Sequence, residues 1–314
     1  MSQSICQPQS NEPRERASPV AHFLSFDVEE YFHAEAAWRA GVRQEDWETI
    51  PSRLGPCVDR ILQLLADHRA SATFFVLGWV ARHQQAVIRR IVQAGQEVAS
   101  HGMDHRMLTR VTPEEFRQDL LDSRRLLEDI SGKPVLGYRA PTFSIMHRTA
   151  WALDVLAEAG YRYDSSVFPV RHDRYGVPEA PRWAHQAQGP AGREILEIPP
   201  LTLRMVGANW PVGGGGYLRL LPVQVVGRAL RAVQRQGRPG MLYLHPWEID
   251  ADQPVLPMRP LQRWRHRVNL ARTEAKLRWL LQRYRFTDVA SQLDALAAMS
   301  DPAFAYGQAL PAKD

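Results

Sequence analysis

The sequence is organised around the stretch Ala99-Ser100-His101-Gly102-Met103-Asp104-His105-Arg106. On a helical turn, positions i and i+4 share a face, so the rings of His101 and His105 can point at one centre. Two histidines are too few for a catalytic metal, and a carboxylate is the usual third ligand, which leaves one position open for water. Asp27-Val28-Glu29, after the apolar run 22–26, is the best supplier of that carboxylate. The alternative is a pair of surface histidines on a helix.

Around this stretch, strand and helix patterns alternate along the chain. Apolar runs predict strands at 22–27, 71–77, 96–100, 135–139, 161–165, 194–203, 240–244 and 286–289. Helical spacing predicts helices at 54–68, 84–94, 113–130, 148–159, 222–235, 261–284 and 290–299. Seven or eight such repeats predict an α/β fold, namely a distorted parallel (β/α)7-8 barrel in a single domain.

Length and composition fit one large core. The chain has 314 residues, of which 45% are hydrophobic, enough for one domain of barrel size. We expect the barrel to span residues 21–298, with a flexible leader over 1–20 and a flexible tail over 299–314. The stretch 168–192, rich in proline and glycine, predicts an excursion or lid, and the four glycines at 213–216 predict a tight turn.

The charge pattern bears on the partners of the chain. The formal net charge is +5, and all but three of the 39 basic residues are arginines, scattered over many helices with acids between them. This pattern favours solvated helix faces and predicts no nucleic-acid partner. The densest cluster, at 259–272, either meets an anionic partner or forms one solvated helix face.

Signals for targeting are weak. The first twenty residues are polar without an apolar core, and no 18-residue apolar stretch predicts a transmembrane segment. Two cysteines do not make a disulfide framework. We therefore expect a cytoplasmic protein, and nothing in the sequence specifies its oligomeric state.

Several polar residues follow the ends of predicted strands. They are Asp27 and Glu29 after the first strand, His101 and His105 after the third, Arg139 after the fourth, Asp164 after the fifth and His245 after the last core strand. In a parallel barrel the carboxyl ends of the strands meet on one face, so these residues are expected to converge there. The barrel thus predicts one site.

Five motifs in this order resemble the polysaccharide deacetylase (NodB homology) family. They are Ser25-Phe26-Asp27-Val28-Glu29-Glu30-Tyr31, Ser100-His101-Gly102-Met103-Asp104-His105, Gly137-Tyr138-Arg139-Ala140-Pro141, Tyr163-Asp164-Ser165-Ser166 and Leu244-His245-Pro246. The stretches Asp27–His33 and His245–Asp250 are similar to the branch of that family associated with bacterial exopolysaccharide loci. The resemblance covers roughly residues 20–290. It implies a metal-dependent removal of N-acetyl groups from a sugar.

The resemblance implies a divalent metal, most commonly Zn²⁺, held by one carboxylate and two histidines. In this chain these are Glu29, His101 and His105. The commoner form of the first motif is Asp-Asp-Gly, whereas this chain has Asp-Val-Glu, with one residue between the two acids. Glu29 lies two residues beyond Asp27 and points to the same side of a strand. Glu30 is the alternative carboxylate.

The resemblance also implies the groups that act around the metal. Asp27 would be the general base and Arg139 its partner, although Asp27 could instead cap a helix or bind the metal, and Arg139 could be a structural ion pair. The backbone N–H of Thr142, after the turn set by Pro141, would bind the oxyanion.

The leaving amine needs a proton. The resemblance implies that His245 is the general acid and that Asp164 orients it and raises its pKa. The alternative is a buried histidine bonded to a core aspartate without a catalytic function.

Aromatic residues near the motifs are candidates for stacking on sugar rings. Trp210, Tyr217 and Trp247 are predicted to bind substrate, with the glycines at 213–216 letting the backbone approach it. Each could equally be a core residue.

Three functions remain open from the sequence. The first is hydrolysis of N-acetyl groups on N-acetylhexosamine units of a polysaccharide, in exopolysaccharide biosynthesis. The second is hydrolysis of a small non-peptide amide by the same site. The third is carbohydrate binding by a protein whose site is degenerate. An acetylated polysaccharide or oligosaccharide is the partner expected for the first and third.

Overall fold

The computed structural model describes residues 20–307 of the chain. Strand β1 (His22–Val28) is buried along its whole length, as expected for a strand flanked on both edges inside a barrel. The other strands are β2 (Thr73–Val76), β3 (Glu97–Ser100), β4 (Gly137–Tyr138), β5 (Tyr163–Asp164), β6 (His185–Gln188), β7 (Glu194–Glu197), β8 (Thr202–Met205), β9 (Ala208–Pro211), β10 (Met241–Leu244), β11 (Phe286–Thr287) and β12 (Asp301–Ala305).

Helices connect most of these strands. They are α1 (Glu35–Arg39), α2 (Leu54–Asp67), α3 (Gly78–His83), α4 (Gln85–Gln93), α5 (Pro113–Ser131), α6 (Trp151–Glu158), α7 (Gly215–Leu220), α8 (Val223–Gln234), α9 (Pro260–Arg267), α10 (Leu270–Leu281) and α11 (Leu293–Met299). Short 3₁₀ turns include Pro141–Phe143 and Pro246–Ile249. Among the helices of the described range, none is long and apolar enough to cross a bilayer.

The main sheet closes on itself. Its ten strands run in the order β10-β1-β2-β3-β4-β5-β7-β6-β12, with β11 paired to β1, and every neighbour from β10 to β7 is parallel. Beyond β7 the chain reaches β10, where Pro200 pairs with Met241 and the Leu201 N–H donates to the Met241 carbonyl at 2.8 Å. The predicted distorted parallel barrel in a single α/β domain is confirmed, with seven strand positions around it.

The core lies between this barrel and its helices. Phe26 and Phe74, on neighbouring strands, stack with ring centroids 5.2 Å apart, while α2 turns Val58, Ile61 and Leu65 inward at helical spacing. Each such side chain contributes about 1.5–3 kcal/mol when fully buried. This packing fixes the strand ends that carry the site.

Two predicted helix ends are confirmed. Gly95, directly after α4, has a φ of +74°, the left-handed conformation that glycine adopts without strain. The Thr112 hydroxyl accepts from the Glu115 N–H at 3.2 Å, and the Glu115 carboxylate accepts from the Thr112 N–H at 2.8 Å, so a capping box starts α5 at the predicted position.

The single helix predicted at 261–284 is wrong. The chain forms α9 and α10 instead, separated at Val268 and Asn269, and Asn269 has a φ of +54°. A left-handed residue interrupts helical hydrogen bonding, and asparagine is one of the few residues that tolerates this conformation.

The flexible tail predicted at 299–314 is wrong for residues 301–305, which form β12 parallel to β6. The physical reason is burial of the residue that follows: Tyr306 is buried and hydrogen-bonds to His185 Nε2 through its hydroxyl at 2.8 Å. Phe304 and Tyr306 alternate as strand residues do, which is the signal in the sequence. The leader predicted at 1–20 lies outside the described residues except for residue 20.

The predicted excursion at 168–192 packs against the barrel. Its first part places Phe168 and Tyr175 against Phe143 and Tyr243, and its second part contains β6, antiparallel to β7. These aromatic residues form a floor beside the carboxyl end of β10.

Candidate active site

The carboxyl end of β1 presents two acidic side chains to the interior of the barrel mouth. Asp27 and Glu29 are both almost completely buried. The Glu29 N–H donates to the Asp27 carbonyl at 3.0 Å, which tightens the backbone directly after the strand. Both carboxylates therefore reach the same centre, as their spacing predicts.

Glu29, His101 and His105 converge. One ligand atom from each lies within 4.8 Å of the others, with Glu29 Oε2 2.7 Å from His105 Nε2 and 4.0 Å from His101 Nε2. The sequence suggested that the two histidines share a helical face, and this prediction is wrong. They follow β3 in an irregular loop, where positive φ angles at Gly102 (+75°) and His105 (+54°) turn the chain back.

The hydrogen bond of His101 fixes which of its nitrogens faces the centre. His101 Nδ1 donates to the Arg139 carbonyl at 2.8 Å, so in the neutral ring Nε2 carries the lone pair. Burial lowers the pKa of His101 to about 4, which keeps the ring neutral near pH 7. A neutral imidazole aimed at a buried carboxylate is the form that a metal ligand takes.

Glu30, the alternative carboxylate, does not reach this centre. Its side chain accepts from the backbone N–H groups of Arg53 at 3.1 Å and Leu54 at 3.3 Å, at the start of α2, and from the Ser52 hydroxyl. It thus caps a helix N-terminus, where a negative charge is favourable. Of the two glutamates, only Glu29 belongs to the centre.

The donor set fits a divalent cation. Two imidazoles and one carboxylate, all close to one point, are the ligands of a catalytic zinc site with an open position. Burial would raise the pKa of Glu29, but the neighbouring His105, His245 and His101 outweigh burial and lower it well below the usual range. A carboxylate that stays ionised in a buried place is suited to hold a cation.

Arg139 pairs with Asp27, as predicted. Its Nη1 lies 2.6 Å from Asp27 Oδ1 and donates to the Ser25 hydroxyl at 2.9 Å, while its Nη2 and Nε donate to the hydroxyl and carbonyl of Ser165. The guanidinium is fully buried, so a charge-assisted bond in this place is strong and directional. It occupies Oδ1 of Asp27 and leaves Oδ2 facing the centre.

His245 stands on the other side of the acidic pair. Its Nε2 lies 3.9 Å from Asp27 Oδ2 and 3.6 Å from Glu29 Oε1. Its Nδ1 lies 3.1 Å from an oxygen of Glu248, whose other oxygen accepts from Arg219 Nε at 2.8 Å. The result is a buried chain from Arg219 through Glu248 to His245.

Charge around His245 favours its protonated form. Burial lowers its pKa, but the Glu248 hydrogen bond and the charges of Glu29, Glu248 and Asp27 outweigh burial and raise it to about 9. Burial raises the pKa of Glu248, but Arg219 and His245 outweigh burial and lower this pKa to about 2. The ring is therefore held by an ionised partner.

The prediction that Asp164 orients His245 is wrong. Asp164 is fully buried and accepts from the Ser166 hydroxyl at 2.5 Å, and that hydroxyl accepts from the Ala140 N–H at 2.7 Å. Burial raises the pKa of Asp164 to about 6, and burial together with the Asp164 carboxyl raises the pKa of Glu197 well above its usual range, so the two carboxyls share a proton. Asp164 thus supports the backbone before Pro141. The signal for Glu248 in the sequence is its position three residues after His245, within reach across one turn.

The turn at Pro141–Phe143 has unusual backbone geometry. Thr142 has a φ of +57° and Phe143 one of +51°. A β-branched residue in the left-handed region is a rare outlier, and such strain is concentrated at functional sites. This position agrees with the prediction of a backbone donor at Thr142.

The three aromatic residues predicted to bind substrate lie in different environments. Trp247 is buried with its ring between those of His245 and His266, at centroid distances of 5.1 Å and 4.5 Å. Tyr217 packs on the aromatic floor near Tyr175, half-buried. Trp210 lies on β9 and is half-exposed. Trp247 therefore packs against His245 and is not free to stack on a sugar ring, because its own ring is buried between two imidazoles.

The glycines at 213–216 do not form the predicted tight turn. A Cβ atom on Gly214 would lie 2.5 Å from the Tyr243 hydroxyl, and one on Gly215 would lie 1.8 Å from Glu248 Oε2. Their backbone extends toward β10 and enters α7 at Gly215. The absence of side chains brings this backbone against Tyr243 and Glu248, not against a ligand.

A cavity of about 250 Å³ opens beside His105. Its walls include His33, Trp38, Trp47, Asp104 and Arg110. The His33 Nδ1 accepts from the Glu30 N–H at 3.2 Å, so Nε2 carries the proton of the neutral ring. This space lies next to the three-ligand centre and gives a bulky substrate room.

Two family models match the chain. Residues 49–163 match the model described as polysaccharide deacetylase, and residues 165–294 match a domain of unknown function, DUF3473. The first match covers about a third of the chain and makes this part similar to polysaccharide deacetylase domains, as the motifs suggested.

Curated relatives carry related names. A chitooligosaccharide deacetylase of Bradyrhizobium sp. (strain ANU 289) is 35% identical over 101 residues, which are 32% of this chain and 44% of that protein. A peptidoglycan deacetylase of Helicobacter pylori is 29% identical over 127 residues, 40% of this chain and 42% of its own length. The chain thus spans less than half of either relative.

Solved structures show the same fold. A candidate polysaccharide deacetylase from Mycobacterium smegmatis matches with a TM-score of 0.57 and 18% identity, covering 94% of this chain and 96% of that one. An allantoinase, Puue, matches with a TM-score of 0.56 and 18% identity, covering 88% and 89%. At this identity the likeness concerns the architecture alone.

Proposed function

We propose, from the polysaccharide deacetylase domain matched at residues 49–163, that this chain is a metal-dependent hydrolase of N-acetyl groups on N-acetylhexosamine units of a polysaccharide. The observation that carries the proposal is the convergence of Glu29, His101 and His105, with His245 Nε2 3.6 Å from Glu29 Oε1 and 3.9 Å from Asp27 Oδ2. Amide hydrolysis needs a base and an acid near one carbonyl, and the short distances from His245 to Asp27 and Glu29 support this pair of functions.

Glu29, His101 and His105 would hold the metal, which we propose to be Zn²⁺. A divalent cation there would polarise the acetamide carbonyl and lower the pKa of a water molecule from 15.7 to about 7. The His101 bond to the Arg139 carbonyl orients its ring toward that position.

Asp27 is the proposed general base. Its Oδ1 is held by Arg139, so Oδ2 remains to accept the proton of the attacking water. The buried guanidinium holds the carboxylate in one orientation. Because the pair is excluded from solvent, Asp27 acts on water bound at the centre and not on bulk water.

Two donors act on the substrate during the reaction. The Thr142 N–H, presented by the strained turn after Pro141, is the proposed donor to the oxyanion. His245 Nε2 is the proposed acid that protonates the amine nitrogen as its bond to the acetyl carbon breaks. Glu248 holds Nδ1 of that ring, so Nε2 stays aimed at the centre.

The biological setting is the finer part of the proposal. The motifs Asp27–His33 and His245–Asp250 resemble those of the exopolysaccharide branch, which supports a function in exopolysaccharide biosynthesis. Deletion of the coding sequence in the source bacterium would then leave more acetylated hexosamine in the secreted polymer. Unchanged acetylation would exclude this setting without excluding the hydrolase chemistry.

The enzyme proposal is tested with the full chain on N-acetylchitooligosaccharides and peptidoglycan fragments, by release of acetate. We expect deacetylation that requires bound metal and is lost in Asp27→Asn and His101→Ala, while Glu30→Gln retains it. Hydrolysis of a hydantoin and of formamide is measured in parallel. Faster hydrolysis of these compounds than of the acetylated sugars would favour a small amide as the substrate. Full acetate release by Asp27→Asn or His101→Ala would refute the proposal, and metal well below one equivalent without activity would indicate a binding protein.

A further inference from the structure

The helix α9 and the loop before it form a basic surface that the proposed chemistry does not use. Between Gln253 and Thr273 the sequence has no acidic residue and five arginines: Arg259, Arg263, Arg265, Arg267 and Arg272. We call residues 255–265 of this region the α9 surface. These five arginines lie within 14 residues, from Arg259 to Arg272, so positive charge is concentrated in this region.

Large apolar side chains lie exposed within the same surface. Leu261 and Trp264 are 60% and 54% exposed, and Val255, in the loop that leads to α9, is 58% exposed. Leu261 and Trp264 are three residues apart and share one helix face. Of the eight residues of α9, only His266 is buried. Exposed apolar residues bordered by cations are typical of helices that lie on membranes.

Two of the arginines are free to bind a partner. Arg263 donates to the Met258 carbonyl at 3.2 Å, and Arg267 donates to the Gln253 carbonyl at 2.7 Å. The side chains of Arg259 and Arg265 are exposed, and within residues 20–307 they form no hydrogen bond or ion pair. Their charge is therefore not neutralised inside the described fold.

The α9 surface is fixed to the candidate active site. Arg219 Nη1 donates to the carbonyls of Arg265 at 3.1 Å and His266 at 2.8 Å, near the end of α9, while its Nε donates to Glu248. The His266 ring stacks on Trp247 at 4.5 Å. Because these contacts are buried, α9 cannot shift without disturbing the support of His245.

We propose that the α9 surface docks on an anionic phospholipid membrane. Leu261, Trp264 and Val255 enter the interface between headgroups and acyl chains, and Arg259 and Arg265 bind lipid phosphates. The overall charge of +5 adds long-range attraction to such a surface. Docking would hold the His245 side of the barrel mouth against the membrane.

The exposed residues favour a membrane over a nucleic acid. Val255 and Leu261 are aliphatic and offer neither a stacking face nor a hydrogen bond to bases, whereas both gain from leaving water for lipid. A site for nucleic acid would need the arginines and Trp264 but not the two aliphatic side chains. This difference can be measured.

The test is flotation of the full chain with vesicles made of equal parts phosphatidylcholine and phosphatidylglycerol, compared with vesicles of phosphatidylcholine alone. We expect binding to the anionic vesicles that weakens with salt. Each arginine near an anionic surface changes partitioning by about fivefold, so Arg259→Gln with Arg265→Gln should lower it about 25-fold. Leu261→Ser with Trp264→Ser should lower it by about tenfold or more.

Matched variants separate this surface from general charge and hydrophobicity. Arg125→Gln with Arg228→Gln removes two exposed arginines from α5 and α8, and Leu121→Ser removes a half-exposed leucine from α5. Both should bind vesicles like the parent chain. Thermal unfolding should be alike for all variants, because the altered side chains are exposed.

Three results would overturn the proposal. They are no flotation of the parent chain with anionic vesicles, equal losses in the matched variants, or binding that a duplex RNA competes away while Leu261→Ser with Trp264→Ser leaves it intact. Acetate release does not enter this test, so failure of the docking surface and failure of the deacetylase proposal are distinguishable.

Discussion

The Glu248 carboxylate lies 3.1 Å from Nδ1 of His245, and the same carboxylate accepts from the buried Arg219. Three residues separate Glu248 and His245 in sequence, and the 3₁₀ turn Pro246–Ile249 brings them together. His245, the proposed acid, is therefore oriented by a residue of its own loop.

Replacing Glu248 should slow the reaction without removing the metal. Glu248→Ala leaves Nδ1 of His245 without its acceptor, so the ring loses its orientation, and kcat should fall about 100-fold. Glu248→Asp should recover part of the loss. Steady-state acetate release with metal analysis measures both, and parental kcat in Glu248→Ala would show that the ring needs no partner.

Gly215 and Gly216 provide a pair of substitutions that differ by one position. A Cβ at Gly215 would overlap Glu248 Oε2 at 1.8 Å, whereas the nearest atom to a Cβ at Gly216 is 3.9 Å away. Because Arg219 holds Glu248, it cannot move aside freely. We expect Gly215→Ala to lower kcat at least tenfold and Gly216→Ala to leave it unchanged. Equal activities would mean that Glu248 moves aside.

Replacing Glu29 should affect metal binding, whereas replacing Glu30 should affect stability. Glu29→Gln removes the only carboxylate ligand and should abolish stoichiometric metal. Glu30→Gln should retain metal but lose about 1–2 kcal/mol of stability, since the amide caps α2 less well. Metal analysis and urea unfolding check the two effects, and loss of metal in Glu30→Gln would reverse the assignment.

The buried pair of Asp27 and Arg139 should be strongly coupled. Arg139→Met leaves a buried carboxylate without its partner and should cost about 3–5 kcal/mol of unfolding free energy. Adding Asp27→Asn removes that charge and should restore part of the lost unfolding free energy. A double-mutant cycle in urea measures the coupling, and simple additivity of the two changes would contradict it.

Acid should destabilise the fold through buried histidines. Burial lowers the pKa of His185 to about 4, from about 6.5 in the unfolded chain, so the unfolded state binds a proton first. Neutral His185 contributes up to about 3 kcal/mol to the free energy of unfolding. This contribution is complete above about pH 6.5 and is lost as the pH falls toward about 4. His185→Gln, which cannot titrate, should show a shallower decline in urea unfolding across this window; an unchanged slope would exclude His185 as a source.

Residues at strand ends were predictable because a parallel barrel gathers them. Apolar runs located β1, β3 and β10, and the rule that their carboxyl ends meet on one face placed Asp27, His101 and His245 together. The pairing of Arg139 with Asp27 followed from the same motifs. For these residues, position along a strand determines position in space.

Contacts made within irregular loops were not predictable in this way. The partner of His245 depends on a 3₁₀ turn, and the orientation of His105 depends on its positive φ, and neither has a periodic signal. The resemblance implied that Asp164 orients His245, but its side chain points to Ser166 and Glu197. Strand position predicts where a residue lies but not which neighbours its side chain contacts. Placement of the chain in the cytoplasm stays a prediction.

Arg139 makes two contacts with the candidate site, and both depend on the position of the same residue. Its carbonyl fixes the ring of His101, and its guanidinium fixes Asp27, through a strand of only two residues paired to Ser100 at Tyr138. A slip of that strand by a single position would displace the proposed metal ligand His101 and the proposed base Asp27 together. The register of the fourth strand therefore determines the geometry of two parts of the candidate site at once.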